Sequence, residues 1–208
     1  MTHKALFLTA ASALGMIALA GTAQAQTFAN PAVITIPDTG TTPYPSPIVA
    51  AGVPLLGGYD IDVSFFNLSH TFPDDLDILL TGPGGFSVML MSDTGGSLDI
   101  VSVNLTFSDG SPLLPDSAQI VSGTFAPTNI GATDVMDAPA PVGPYGTTLN
   151  SFVGDPNGTW NLWAVDDLGG DIGSMAGGWS ITFSAVPAPG ALALLGLAGM
   201  VGGRRRRA

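Results

Sequence analysis

The chain has 208 residues, 28 of them Gly and 17 Pro, contains no Cys, and carries a formal net charge of −11. All sixteen acidic residues are Asp, and the only Lys and Arg, Lys4 and Arg204 to Arg207, sit at the two ends. This inventory excludes disulfides, Cys nucleophiles and any Lys or Arg salt bridge between Ala5 and Gly203, and it excludes nucleic acid as a partner, because neutralising phosphates takes Lys or Arg.

Residues 1–25 read as a secretory signal peptide. His3 and Lys4 give a short basic start, Leu6 to Ala20 is apolar, and Ala23-Gln24-Ala25 is a small-residue cleavage site before Gln26. Signal peptidase is the partner this implies. Residues 26–58 are rich in Pro, Thr and Gly. A first strand is predicted at Ala32 to Ile36 and another within Ile48 to Leu56, with Pro37, Pro43, Pro45 and Pro47 forcing turn or extended backbone between them.

From Tyr59 the pattern sharpens. Tyr59, Ile61, Val63 and Phe65 alternate with Asp60, Asp62 and Ser64, the period of a half-buried strand. Phe66 and Leu68 shift phase, which predicts a bulge. Asp75 to Leu80 alternates again, Gly82-Pro83-Gly84-Gly85 is a turn, and Phe86 to Met91 returns, so Asp75 to Met91 reads as a hairpin. Ile100 to Phe107 is a further strand. Residues 108–156 read mostly as loop, with a short strand at Gln119 to Phe125. Ala138 to Gly146 is too rich in Pro and Gly to be a helix or a central strand.

Asp155 to Phe183 holds all three tryptophans. Trp160, Leu162 and Ala164 share one face of a strand, as do Trp179, Ile181 and Phe183. The two runs read as a closing strand pair, with the aromatics supplying much of the core. Long helical periodicity is absent from this middle region, and the expected class is all-β, a β-sandwich of about eight strands.

The carboxylates lack internal Lys or Arg partners, so they are solvated, bonded to backbone N–H groups, or neutralised by metal. Ca²⁺ is the candidate cofactor, since it takes six to eight oxygens and Asp with loop carbonyls supplies them. Asp74, Asp75 and Asp77 lie at a strand start. Asp93 and Asp99 flank a Gly-rich loop, and Asp166, Asp167 and Asp171 follow the Trp160 strand. Asp75 and Asp77 are expected on one face, where a single ion would use both. The other reading is that these residues shape turns and solvate the surface.

Asp-Thr-Gly occurs at Asp38 and Asp93, the motif that aspartic proteases use in opposed pairs. The apolar runs and two-lobed length that go with it are missing. A hydrolytic triad has only His70 after signal cleavage, and no nucleophile elbow accompanies it; the plainer reading is a hydrogen bond from His70 to a turn near Asp74. Trp163 faces away from Trp160. It is either a stacking platform for a surface polysaccharide or protein partner, or it is covered by a loop such as Ala138 to Tyr145. The Asn-x-Ser/Thr sequons at Asn67, Asn104 and Asn157 overlap predicted strands and a turn.

Residues 186–208 start at Val186-Pro187-Ala188-Pro189, continue as an apolar Ala/Leu/Gly run to Gly203, and end at Arg204, Arg205, Arg206 and Arg207 before Ala208. The tail resembles a PEP-CTERM sorting signal: a Pro-x-Pro motif, a short hydrophobic helix and a basic end, with Ala188 where the family carries an acidic residue. The resemblance implies an exosortase-like sorting enzyme as partner and export toward the envelope or extracellular matrix. The alternative is a C-terminal membrane anchor, although Gly190 to Gly203 is shorter than the roughly 20 residues of a bilayer span. Either reading puts the arginines on the cytoplasmic side and the domain outside.

Residues 59–185 resemble the P domain (P/Homo B) of kexin- and furin-like proprotein convertases. The matching pieces are His70-Thr71 through Asp75-Leu76-Asp77-Ile78, the turn Gly82-Pro83-Gly84-Gly85, Asp155-Pro156-Asn157-Gly158-Thr159-Trp160, and Gly177-Gly178-Trp179-Ser180-Ile181-Thr182. The resemblance implies a jelly-roll sandwich that performs no chemistry itself and, in the convertases, stabilises a catalytic neighbour. No subtilase His-Gly-Thr or Gly-Thr-Ser motif accompanies it here. The expected role is a non-catalytic surface or matrix module. An accessory to a separately encoded subtilisin-like protease, and a carbohydrate-binding matrix protein, are the alternatives.

Overall fold

The computed structural model describes residues 24–55, 58–131 and 134–186. Among them run twelve strands: β1 (Gln26–Asn30), β2 (Ile34–Ile36), β3 (Ser46–Ala50), β4 (Tyr59–His70), β5 (Leu76–Thr81), β6 (Ser87–Ser92), β7 (Ile100–Phe107), β8 (Gly123–Phe125), β9 (Thr128–Asn129), β10 (Gly158–Asp166), β11 (Gly173–Met175) and β12 (Trp179–Ala185). The signal-peptide region up to residue 23 and the tail from Pro187 onward lie outside the described residues, so Val186 is the only part of the sorting motif within them. No helix among the described residues is long and apolar enough to cross a membrane.

The strands form two mixed sheets. One has the order β1-β12-β4-β11-β2, with β7 also on β4 and β8 beyond it; the other runs β3-β10-β5-β6-β9. Strand β4 is long enough to pair β12 along Tyr59 to Phe65 and β11 along Leu68 to His70. Its pairing with β7 shifts register between Phe65 and Leu68, where Asn67 adopts a φ of 55°. This is the bulge that the phase change predicts. The β5–β6 hairpin forms as expected, around a 3-10 turn at Pro83–Gly85. The ring of Trp160 lies over Gly82, so close that a Cβ there would stand 2.6 Å from it.

A single apolar core lies between the sheets. Ile61, Val63, Phe65, Trp179, Ile181 and Phe183 come from one sheet, and Ile78, Leu80, Trp160, Leu162 and Ala164 from the other. The alternating faces predicted from sequence are the faces buried here. The rings of Trp160 and Phe183 meet at 5.3 Å. Trp179 Nε1 donates to Ser46 Oγ on β3 at 3.0 Å, tying the sheets together.

The closing strand pair requires correction. Strand β10 pairs β3 and β5, whereas β12 pairs β1 and β4, so the two Trp strands face each other across the core instead of lying side by side. The connection between them is too long for a tight hairpin and contains β11, which joins the opposite sheet. The chain enters β12 through Gly178 at φ +67°, where a Cβ would lie 2.0 Å from Asn30 O.

Near the N-terminus the predicted strand at 32–36 shortens to β2, and β1 precedes it at Gln26–Asn30, where no strand was expected. Strand β3 begins at Ser46, earlier than expected, and accommodates Pro47 because it is an edge strand. The strand expected at 119–125 contracts to β8, followed by the separate β9.

A second, smaller apolar cluster covers the outer face of the five-stranded sheet. Leu79, Met89, Trp163 and Val165 point outward from it and are roofed by Met136, Ala140, Tyr44 and Tyr145. The loop is pinned along β6, where Met89 N donates to Gly146 O at 3.0 Å and Gly146 N to Ser87 O at 2.9 Å.

Candidate functional site

Turns and strand ends bring Asp75, Asp77, Asp93, Asp166 and Asp167 to one end of the five-stranded sheet. There β5 starts, β6 and β10 finish, and the segment after β9 turns away. Many carboxylates find backbone or side-chain donors, as expected in a domain without Lys or Arg. Asp109 accepts from the N–H groups of Leu149 and Asn150 at 3.1 and 2.8 Å. Asp38 accepts from Gly170 N at 3.1 Å, and Asp171 from Thr71 Oγ1 at 3.0 Å.

The eight Ca²⁺ candidates divide into sets. Asp77, Asp93 and Asp167 form one with Asp134, which no sequence pattern marked, and Asp74 stands near it. Burial is the main cause that pushes Asp77 up to about 7, and the charges of Asp134, Asp167 and Asp93 add to it. Burial and then Asp134, Asp167 and Asp74 raise Asp93, and burial with Asp134 and Asp74 raises Asp167. Asp77 is only 3% exposed. Beside it Ser92 Oγ lies 3.4 Å from Asp93 Oδ2, and Asn129 Nδ2 donates to Asp134 Oδ2 at 2.6 Å while Asn129 Oδ1 is buried without a partner.

Asp75, Asp166 and Asp171 belong to a second set, with Asp38 and His70. Burial and then Asp166, Asp167, Asp171 and Asp74 push Asp75 up to about 6. Burial raises Asp166 as well, and the nearby His70 opposes that rise. The expectation that Asp75 and Asp77 share a face rests on strand alternation running through both. Residues Pro73–Asp75 form a 3-10 turn, so the period-two alternation that placed them together begins only at Leu76. Asp99 lines a shallow depression with His70 and Ile172, and none of the raised carboxylates owes its shift to it.

His70 lies at the end of β4 with its ring fully buried. Nδ1 is 2.9 Å from Phe72 O, and Nε2 is 3.4 Å from Asp166 Oδ2, an ion-pair contact outside hydrogen-bond geometry. The pair joins the two sheets, since Asp166 ends β10. Both ring nitrogens face these partners, which leaves neither aimed at a nucleophile. Asp38 neighbours Asp166 while Asp93 neighbours Asp134, so the two Asp-Thr-Gly turns do not oppose their carboxylates.

Trp163 is not a surface platform. It is 6% exposed, its indole Nε1 donates to Thr81 Oγ1 at 2.9 Å, and Tyr44 packs edge-on at 5.0 Å. Burial of this outer face under residues 134–145 is the physical reason. Beside that roof lies a cavity of about 480 Å³ lined by Asp38, Tyr44, Asp137, Asp166 and Asp167. Tyr44 Oη donates to Asp137 O at 2.6 Å, and burial, then the charge of Asp137, holds its hydroxyl above the ordinary tyrosine range.

Among the described residues no three carboxylate or imidazole groups converge into a ready-made metal cage. An ion at the Asp77 set would draw in Asp93, Asp134 and Asp167, three groups carried on loops or strand ends. Asp134 escaped the sequence reading because it sits in a long segment without periodicity; only the missing Lys and Arg could have flagged it. No family model matches the chain, and no curated protein matches it.

Proposed function

We propose that this chain is an exported, non-catalytic module of the cell surface or extracellular matrix, built as a P-domain-like jelly roll and stabilised by Ca²⁺. The observation that carries this reading is the buried Asp77 with Asp93, Asp134 and Asp167 around it, in a domain with no internal Lys or Arg. Asp77 is buried, Asp93 and Asp134 are half-buried and Asp167 is exposed; ionising the buried carboxylate beside the other three calls for a counter-charge, and a hard divalent cation with oxygen ligands supplies one. The commitment of His70 to Phe72 and Asp166, and the separation of Asp38 from Asp93, support the non-catalytic part. The P-domain likeness rests on the residues quoted above, and export and sorting rest on the two terminal segments.

Calcium titration followed by thermal melting tests the reading. A higher midpoint in millimolar Ca²⁺ than in chelator is expected, and Asp134→Asn should diminish the difference. Equal midpoints would refute Ca²⁺ stabilisation.

A further inference from the structure

We propose that the mature protein begins at Gln26 and that this glutamine closes on itself to pyroglutamate. The proposal rests on the signal-peptide reading, which places the cut between Ala25 and Gln26. The fold meets the sequence at the same bond. Gln24 and Ala25 are exposed and precede the sheet, while Gln26 is the first residue of β1 and pairs with Phe183 of β12. A cut there removes no strand residue.

The side chain of Gln26 is loosely held. Its Nε2 reaches Gly52 O only at 3.4 Å, and its Oε1 is buried with no partner. An amide fixed by good hydrogen bonds resists rotation toward its own main chain, as Asn157 illustrates: its amide bonds Val53 N at 2.8 Å and Val53 O at 2.9 Å. Gln26 has no such anchor and loses little by turning back.

The chemistry needs no second reactant. The neutral α-amine of Gln26 attacks its own side-chain carbonyl carbon Cδ. An Nα–Cδ bond forms, the Cδ–Nε2 bond breaks, and Nε2 leaves as ammonia, taking up a proton released by the α-amine. The product is a five-membered lactam. An α-amine titrates near pH ~8, so its reactive neutral form is available at neutral pH.

Cyclisation also closes a weak point. Strand β1 is an edge strand whose ladder partner is β12, and its Phe28 packs on Phe183 with ring centroids 6.1 Å apart. Stepwise removal of residues from a free amine would unpair β1 and uncover that contact. A lactam offers aminopeptidases no free amine and keeps the strand whole.

The test is mass analysis of the N-terminal peptide of the full chain exported by a bacterial host, together with amine labelling of the intact protein. The expected peptide starts at Gln26, weighs less than the unmodified peptide by one ammonia, and takes no label at its terminus. The Gln26→Ala variant should start at the same position and label fully. A Gln26 terminus with its free amine overturns the cyclisation and leaves the signal-peptide reading standing. A terminus at any other residue overturns both.

Discussion

His70 and Asp166 pair out of water, and such a pair penalises removal of one partner far more than replacement of both. Replacing His70 by Ala leaves the Asp166 carboxylate buried beside Asp171 and Asp38. We expect a loss of about 3–5 kcal/mol in urea unfolding for His70→Ala, and a smaller loss when Asp166→Asn is added. If the double variant loses as much as the two single changes summed, the pair is not coupled. Asn157 makes a second such link, joining Val53 through both ends of its amide. Asn157→Ala should cost about 2 kcal/mol, because Val53 N–H and C=O are left unpaired; an unchanged denaturation midpoint would contradict that. The hydrogen bond of His70 to its own turn was legible in sequence, since it spans only two residues. Its pairing with Asp166 was not, because nothing local links positions nearly a hundred residues apart.

At the scale of the strands, alternation identified the buried faces of β4, β10 and β12 correctly. It did not give their partners. Two inward-facing aromatic rows look alike whether their strands are neighbours in one sheet or opposed across two, and the deciding feature is the geometry of the connection that holds β11. For Trp163 both the outward direction and a covering loop such as Ala138 to Tyr145 were readable, but only the fold decides between that cover and an exposed platform, because residues 134–145 carry no periodic signal. Because Trp163 is packed beneath Tyr44, Trp163→Ala should destabilise the fold by about 3–5 kcal/mol, as large-to-small changes in a core do. Equilibrium denaturation checks this, and a cost near zero would mean that the roof is not closed over it. At Gly178, alanine would place its Cβ against Asn30 O, so a markedly lower melting midpoint is expected for Gly178→Ala.

For the whole molecule, the absence of internal Lys and Arg is the property that sequence revealed most directly, and it predicted carboxylates solvated, bonded to backbone N–H groups or neutralised by metal; Asp38 and Asp109 take the second course. The grouping of Asp134 with Asp77, Asp93 and Asp167 needed the fold, because it depends on which loops share one end of a sheet. Burial first, and neighbouring carboxylates second, set the pH dependence. Asp75 and Asp77 are pushed up to about 6 and about 7, above the unfolded carboxylate value. The folded state therefore binds more protons than the unfolded state in the interval between, and stability falls as pH rises through it. Melting in chelator should give a higher midpoint near pH ~5 than near pH ~8, where these carboxylates are ionised; the reverse order would show that the buried carboxylates do not govern stability.

A cation at the acidic end would offset that loss, so the most direct measurement is the melting midpoint of the protein at pH ~8 in millimolar Ca²⁺ and in chelator, for the natural chain and for Asp77→Asn. The natural chain should melt about 5 °C or more higher with Ca²⁺, and Asp77→Asn should raise the chelator midpoint while abolishing the response. Identical midpoints for the natural chain in the two conditions, or a full response retained in Asp77→Asn, would contradict a Ca²⁺-stabilised module organised around Asp77.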